Sequence, residues 1–256
     1  MENIRKLREI TGAGIVDCKK ALDEANGDIN KAVEIMRKKG GAKAAKKAGR
    51  ETNEGLIDIV VSNDNKKCSI VKVLCETDFV ARNQDFKNFV KDTVSAGLEN
   101  SSEEYFNSKK EAMVLKIGEN LTFGKGEQLT GEYIVFYVHS NNKAGSAVVF
   151  NKKADETLAA NIAMQVVAMS PNYVAPEDVP IEEQEKEKEI YREQLKKEGK
   201  PEQIIDKILI GKINKYFAEV CLLRQIFIKD DKKSIEQIMK ETDPELKIIK
   251  FIKYSL

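Results

Sequence analysis

The residue types that perform most enzyme chemistry are sparse in this sequence. It contains one histidine, His139, and its four cysteines form no C-x-x-C pair, so no His/Cys cluster has zinc spacing. Gly12-Ala13-Gly14 precedes Lys19 and Lys20, a combination that suggests a phosphate-binding loop. However, this run connects two helical patterns instead of following a strand, and its lysine spacing differs from that of a P-loop. We therefore expect no catalytic residue, no metal site, no cofactor and a function other than that of an enzyme.

A carboxylate and an aromatic ring stand side by side in Thr77-Asp78-Phe79-Val80. Taken alone, these residues favour an ordinary interpretation, in which Thr77-Asp78 forms a turn or helix cap and Phe79 belongs to the core. In the alternative interpretation the ring is exposed and inserts into another protein, where the carboxylate competes for groups that support a bound cation.

Composition limits the classes of partner. At 256 residues and 41% hydrophobic content the chain can bury a core, and 43 basic against 42 acidic residues leave a net charge of +1. This balance argues against a bulk attraction to nucleic acid or to an anionic membrane. The first residues resemble neither a secretory signal nor a transit peptide, and no apolar run approaches the length of a membrane span. We expect a cytoplasmic protein with reduced, buried cysteines.

The amino-terminal residues 4–39 show three short helical patterns. Asp28 follows Asn26-Gly27 and is placed to cap the third pattern through its carboxylate. Residues 37–50 then carry seven basic residues and no acidic one among Ala and Gly, a composition typical of a linker.

Beyond this segment the apolar period changes to two, which predicts strands alternating with segregated helices and an α+β fold. Very polar residues 181–198, a break at Gly199-Lys200-Pro201 and a further apolar pattern predict a projecting helical hairpin. The other predicted elements are a β-hairpin over 57–75, a helix around 86–94, strands near 131–139 and 146–150, a helix from Glu156 to Met169, a helix beginning at Ser234 and a strand from Ile248 to Tyr254.

Two strings carry a resemblance to a known family. The first extends from Leu7-Arg8 through Thr11-Gly12-Ala13-Gly14-Ile15-Val16-Asp17-Cys18-Lys19-Lys20-Ala21-Leu22, and the second is Cys75-Glu76-Thr77-Asp78-Phe79-Val80-Ala81-Arg82-Asn83. Both are similar to signatures of the elongation factor Ts family, at the right separation. Weaker similarity, which includes Ile117-Gly118-Glu119-Asn120 and Tyr137-Val138-His139, extends over nearly the whole chain.

The resemblance implies an amino-terminal three-helix module like a ubiquitin-associated domain, followed by a two-subdomain α+β core with an inserted helical hairpin. The domain boundaries expected on this basis are 1–41 for the module that docks on a GTPase, 42–53 for a basic linker, 54–130 for core subdomain N, 131–180 with 209–256 for core subdomain C, and 181–208 for the hairpin.

The resemblance also implies a guanine nucleotide exchange factor that binds the GTPase elongation factor Tu with GDP. Asp78 and Phe79 would insert near its magnesium site and promote GDP release so that GTP can rebind, with Thr77 and Val80 holding the pair in place. Two interpretations stay open for Arg8, Ile15 and Val16. In one, they form an exposed face that docks on the GTPase. In the other, Ile15 and Val16 complete the core of the three-helix module and Arg8 is solvated. His139 either faces the partner's third domain or is an ordinary strand-end histidine.

A rival function from another class is nucleic-acid binding through residues 37–50, but without interleaved aromatics we expect no direct binding. Oligomeric state stays open between a homodimer and a heterotetramer with the GTPase. The sequence departs from the family at Ile15-Val16, Val73-Leu74 and Ile226, and longer members continue after the segment that ends here at Leu256. Contacts made by their extra segment are not carried over.

Overall fold

This computed structural model describes all residues from 1 to 256. The chain forms ten α-helices and eight β-strands. The helices are α1 (Glu2–Thr11), α2 (Ile15–Glu24), α3 (Ile29–Lys47), α4 (Asp78–Arg82), α5 (Gln84–Ala96), α6 (Ser102–Ile117), α7 (Glu156–Met169), α8 (Ile181–Lys197), α9 (Glu202–Val220) and α10 (Ile235–Thr242). The strands are β1 (Glu54–Val61), β2 (Lys67–Cys75), β3 (Leu121–Thr130), β4 (Tyr133–Val138), β5 (Ala144–Phe150), β6 (Ile226–Phe227), β7 (Asp230–Ser234) and β8 (Ile248–Ser255).

Helices α1 to α3 form the predicted three-helix module around a small core that includes Leu7, Cys18 and Met36. The predicted cap at Asp28 is confirmed, since its carboxylate accepts a hydrogen bond from the Lys31 N–H at 3.1 Å. Asp28 therefore fixes where α3 begins.

Helix α3 continues to Lys47, so the prediction of a linker is wrong for residues 42–47. Ala and Lys favour helices, and this intrinsic preference outweighs the two glycines in the middle of α3. Those glycines let α3 lie close to α6, because a Cβ on Gly40 would stand 3.1 Å from the Glu111 carbonyl oxygen. Two of the basic side chains bind back onto α2, through the ion pairs Lys43–Asp17 at 2.8 Å and Lys39–Glu24 at 2.6 Å.

Two antiparallel three-stranded sheets form the centre of the molecule, in the orders β1-β2-β3 and β4-β5-β8. Apolar side chains of both sheets meet in one buried cluster, which includes Ile57 and Ile70 from the first sheet and Ile134 and Ala147 from the second. Helices α4, α5 and α6 cover the first sheet over Phe86, Phe89 and their neighbours, while α7 and α10 cover the second. Segregated helices on antiparallel sheets confirm the α+β class.

Helices α8 and α9 form the predicted hairpin and pack on each other through Leu195, Ile205 and Leu209. At its base the Glu183 carboxylate accepts hydrogen bonds from the hydroxyls of Tyr173 and Tyr216. Helix α9 extends beyond the predicted boundary at residue 208 because it continues to Val220. None of the ten helices combines the length and apolar character that crossing a bilayer requires.

Candidate protein-docking site

A sharp corner connects β2 to the short helix α4 and presents the Asp78-Phe79 pair. The Thr77 side chain caps α4 by accepting a hydrogen bond from the Val80 N–H at 3.4 Å. Val80 and Ala81 point into the core beside β1 and β2 and are buried. Phe79 lies on the opposite side and is 80% exposed. The interpretation of Phe79 as a core aromatic is therefore wrong, whereas that of Thr77 as a helix cap is confirmed.

The next residues end α4 and begin a longer, well-packed helix. Asn83 follows α4, and its side-chain oxygen accepts hydrogen bonds from the N–H groups of Asp85 and Phe86 at 2.8 and 3.4 Å. Phe86 is fully buried, so α5 is fixed on the sheet from its first turn. Two caps only six residues apart in sequence, Thr77 and Asn83, thus keep α4 short and hold it at the edge of the core.

The Asp78 carboxylate is at the surface and has one partner within the chain. It forms an ion pair with Arg82 one helical turn later, at 2.9 Å between Oδ2 and Nη2, and both side chains are well exposed. Exposed pairs of this spacing contribute only about 0.3–0.5 kcal/mol. A group on another protein can therefore replace Arg82 beside this carboxylate with little loss of free energy.

A second carboxylate, Glu119, holds the backbone just before α4. It lies between α6 and β3 and accepts hydrogen bonds from the backbone N–H of Thr77 at 3.0 Å and from its hydroxyl at 2.6 Å. Glu119 belongs to the family-like string Ile117-Gly118-Glu119-Asn120, which implies no role for it. No local pattern in the sequence marks this carboxylate, because its partners lie on a distant segment.

Glu76 occupies the same corner and is bound by groups from two other segments. Burial opposes its ionisation, but the Asn120 N–H at 2.5 Å and the Arg50 guanidinium at 3.2 Å outweigh burial and hold the pKa of Glu76 below its usual range. In the neighbouring Cys75, burial and the nearby charge of Glu119 raise the pKa of the thiol to about 12. The thiol is thus a protonated core group.

The second predicted site lies at the turn between α1 and α2. Ile15 and Val16 are 58% and 66% exposed, and Arg8 is exposed beside them. The interpretation in which the apolar pair completes the module's core is wrong, because that core is built from Leu7, Cys18 and their neighbours. A shallow groove lined by Arg8, Ile15 and Val16 runs along this turn.

Lys116 joins this turn to the Asp78-Phe79 corner. Its aliphatic chain lies directly against Gly12, where a Cβ would come within 2.7 Å, and its ammonium pairs with Asp85 at 2.6 Å. Asp85 is in the first turn of α5, immediately after the residues that end α4. Lys116 therefore ties the turn between α1 and α2 to the first turn of α5.

His139 lies apart from these two surfaces, at the turn that joins β4 to β5. Its ring is exposed, and Nδ1 is 3.1 Å from the Tyr137 hydroxyl. Phe136 on β4 exposes 41% of its surface close by in sequence. The structure thus places the sequence-derived residues at three positions, the corner before α4, the turn between α1 and α2, and the turn between β4 and β5. It contains no group of three or more His, Cys, Asp or Glu side chains placed to hold a metal ion.

Known proteins resemble this chain over nearly its whole length. The family model for "Elongation factor TS" matches residues 76–256, which begin at the corner before Asp78. The chain is 44% identical to elongation factor Ts of Aquifex aeolicus, with 100% of this chain and 97% of the relative covered. The chain belongs to the elongation factor Ts family. It is also 41% identical to the Hahella chejuensis protein of that name and 42% identical to that of Clostridium perfringens, with 99% and 98% of this chain and 90% of each relative covered.

Family membership makes this chain a translation elongation factor, one that takes part in protein biosynthesis. It also gives a context for the exposed side chains. Most large apolar side chains of a folded chain are at least partly covered, so an exposed ring on a helix that is itself fixed to the core needs a reason. Aromatic side chains are enriched at the centres of protein interfaces, and an interface would cover such a ring.

Proposed function

We propose that this protein is the guanine nucleotide exchange factor for elongation factor Tu. It binds the GTPase with GDP, inserts Phe79 and Asp78 near the magnesium site and promotes release of GDP so that GTP can rebind. The observation that carries this proposal is the 80% exposed ring of Phe79 on a helix whose other face is buried. Membership of the elongation factor Ts family supports elongation factor Tu as the partner.

The chemistry of a GTPase explains why such a wedge suffices. The nucleotide is held by backbone donors, a lysine and a magnesium ion that bridges phosphate oxygens. A ring pushed between helices displaces the structure that carries those contacts, and a carboxylate beside the metal competes for the groups that support it. No covalent bond forms or breaks, so the factor needs no catalytic residue of its own.

Thermodynamic linkage sets the size of the effect. If the factor binds the empty GTPase more tightly than the GDP-bound form by some ratio, it weakens GDP binding by the same ratio. Contacts that exist equally in both states contribute affinity but no exchange. The wedge residues must therefore supply the difference, while the other surfaces supply common affinity.

Arg8, Ile15 and Val16 fit the role of a common docking surface on the three-helix module. They are exposed, apolar at the centre and flanked by a positive charge, like many surfaces that receive a helix of another protein. We assign His139 to a separate contact made by the other subdomain. Thr77 and Val80 hold the pair in place in this scheme, because one caps α4 and the other anchors it.

Direct nucleic-acid binding is not part of the proposal. Of the seven basic residues between 37 and 50, Lys39, Lys43 and Arg50 form ion pairs within the chain and Lys47 donates to the Gly118 carbonyl. These contacts use the charges to attach α3 to its neighbours. As an exchange factor for a translational GTPase, the protein would act in the cytoplasm.

The experiment that tests the proposal is multiple-turnover exchange. Elongation factor Tu loaded with a fluorescent GDP analogue is mixed with excess unlabelled GDP and a substoichiometric amount of this protein. We expect faster loss of fluorescence with the same end point, since an exchange factor changes the rate and leaves the final equilibrium unaltered. An unchanged rate at every concentration of the protein contradicts the proposal.

A further inference from the structure

Glu119 uses both of its carboxylate oxygens on the two residues that precede α4. Oε2 accepts hydrogen bonds from the backbone N–H groups of Glu76 and Thr77 at 3.1 and 3.0 Å. Oε1 accepts from the Thr77 hydroxyl at 2.6 Å. Hydrogen bonds to an ionised carboxylate are shorter and stronger than neutral ones, so this contact fixes both the backbone and the side chain of Thr77.

Helix α4 requires such a restraint because it is too short to be stable alone. It spans Asp78–Arg82, whereas isolated helices below about 12–15 residues are marginal in water. Val80 and Ala81 anchor only its inner face, and the exposed ring of Phe79 makes no anchoring contribution of its own. The direction in which the ring points therefore depends on where the helix starts, which Thr77 determines.

Glu119 is itself held on both sides. Gly118 before it ends α6 with a φ of +84°, a conformation that L side chains rarely adopt. Asn120 after it is 2% exposed, donates its N–H to Glu76 and donates its side-chain amide to the Arg50 carbonyl at 2.9 Å. The carboxylate thus projects from a fixed point of the core.

The contact spans 42 residues in sequence and connects two otherwise separate segments. Both Glu119 oxygens accept hydrogen bonds from Glu76 and Thr77, and no hydrogen bond joins Glu119 to Asp78 or Phe79. It therefore acts on the docking residues through the segment just before α4.

We propose that Glu119 is a positioning residue for nucleotide exchange, which orients Phe79 and Asp78 by clamping Thr77 at the start of α4. This inference rests on the proposed exchange function and deepens it. Binding energy from the module and from His139 is independent of the clamp. Loss of the clamp lowers the maximal rate of stimulated GDP release more than it lowers the affinity of the protein for the GTPase.

The test is the variant Glu119→Gln, which keeps size and removes one accepting oxygen. Release of a fluorescent GDP analogue is followed in a stopped-flow instrument over a range of factor concentrations. We expect the release rate at saturation to fall about tenfold, the change that loss of a hydrogen bond to a charged group implies. The concentration for half-maximal effect should change by less than about threefold, because the docking surfaces persist.

Variants of Thr77 separate positioning from general destabilisation. Thr77→Ser keeps the hydroxyl and should retain the wild-type rate, whereas Thr77→Val should lose at least as much as Glu119→Gln, because it also removes the cap of α4. Combining Thr77→Val with Glu119→Gln should cost less than the sum of the two single losses, because both variants remove the hydrogen bond from the Thr77 hydroxyl to Glu119. Glu132→Gln is the matched control and should behave as wild type, because this exposed carboxylate lies in the turn before β4 and pairs only with Lys66, just before β2.

The outcomes distinguish the two proposals. If the wild-type protein does not accelerate release, the exchange function itself fails. If the wild type is active and Glu119→Gln reaches the same saturating rate, the clamp is overturned. If Glu119→Gln does not fold, Thr77→Val with a wild-type saturating rate overturns it equally.

Discussion

Replacing Phe79 by Ala removes the most exposed aromatic ring on the proposed docking corner while leaving the fold intact. The ring is 80% exposed and lies outside the core that includes Val80, Ala81 and Phe86. Truncating such a surface side chain changes the free energy of unfolding by no more than about 0.5 kcal/mol. Thermal melting of the variant should therefore match that of the wild type.

The effect on exchange follows from the burial that the ring gains on the partner. Moving a Phe side chain from water into a protein interior is worth about 1.5–3 kcal/mol. At about 1.4 kcal/mol per factor of ten, its loss lowers the second-order rate constant for stimulated GDP release by roughly 10- to 150-fold. The whole of this loss belongs to the complex, since the free protein gains nothing from the ring.

The assay is stopped-flow release of a fluorescent GDP analogue from elongation factor Tu, with the slope of rate against factor concentration as the readout. Ile181→Ala is a matched control, because Ile181 is 76% exposed but lies at the start of α8 in the helical hairpin. It should keep the wild-type slope. A wild-type slope for Phe79→Ala, or an equal loss in both variants, would refute the wedge.

Three further predictions concern the core. Phe86→Ala should lower the free energy of unfolding in urea by about 3–5 kcal/mol, because the ring is fully buried between α5 and the sheet, and a loss below 1 kcal/mol would contradict this packing. Burial raises the pKa of Cys68 and Cys75 from 9.0 to about 12, so iodoacetamide at about pH 8 should label both thiols far more slowly in the native protein than in urea. Because the folded pKa exceeds the unfolded one, these thiols should also lower the free energy of unfolding as pH rises from 9 towards 12, and a constant value over that interval would contradict the assignment.

Elements with a strong local signal could be predicted from the sequence. The helix from Glu156 to Met169 has the predicted bounds, with Asp155 as its cap. Ser234 forms the expected capping box with Gln237 at the start of α10. In each case a side chain a few residues away decides where the helix begins, so a short window of sequence contains the information.

Elements that depend on distant partners were missed. Helix α6 shares its apolar residues between the first sheet and α3, so no single stripe marks it. Strand β3 contains Gly124 and Gly126 and alternates poorly, because its place is set by pairing with β2. The end of α3 resembles a linker in composition, although its Ala and Lys residues favour a helix, and the contact of its two glycines with α6 is not visible in the sequence.

For the docking site too, one part could be predicted from the sequence and another part could not. The sequence identified Asp78 and Phe79 through resemblance, but only the structure shows that the ring points outward from α4. Periodicity does not define an outer face on a helix as short as α4. Glu119 was not assigned because its partners lie 42 residues away in the chain.

In the proposed function, this protein expels GDP by binding the empty GTPase more tightly than the GDP-bound form. The most direct measurement compares two pairs of affinities. The first pair is the affinity of this protein for elongation factor Tu without nucleotide and with saturating GDP. The second pair is the affinity of elongation factor Tu for GDP with and without this protein. We expect this protein to bind elongation factor Tu more weakly in the presence of GDP. The ratio of its two affinities should equal the ratio of the two GDP affinities. Equal affinity of the protein for the empty and GDP-bound forms would contradict it.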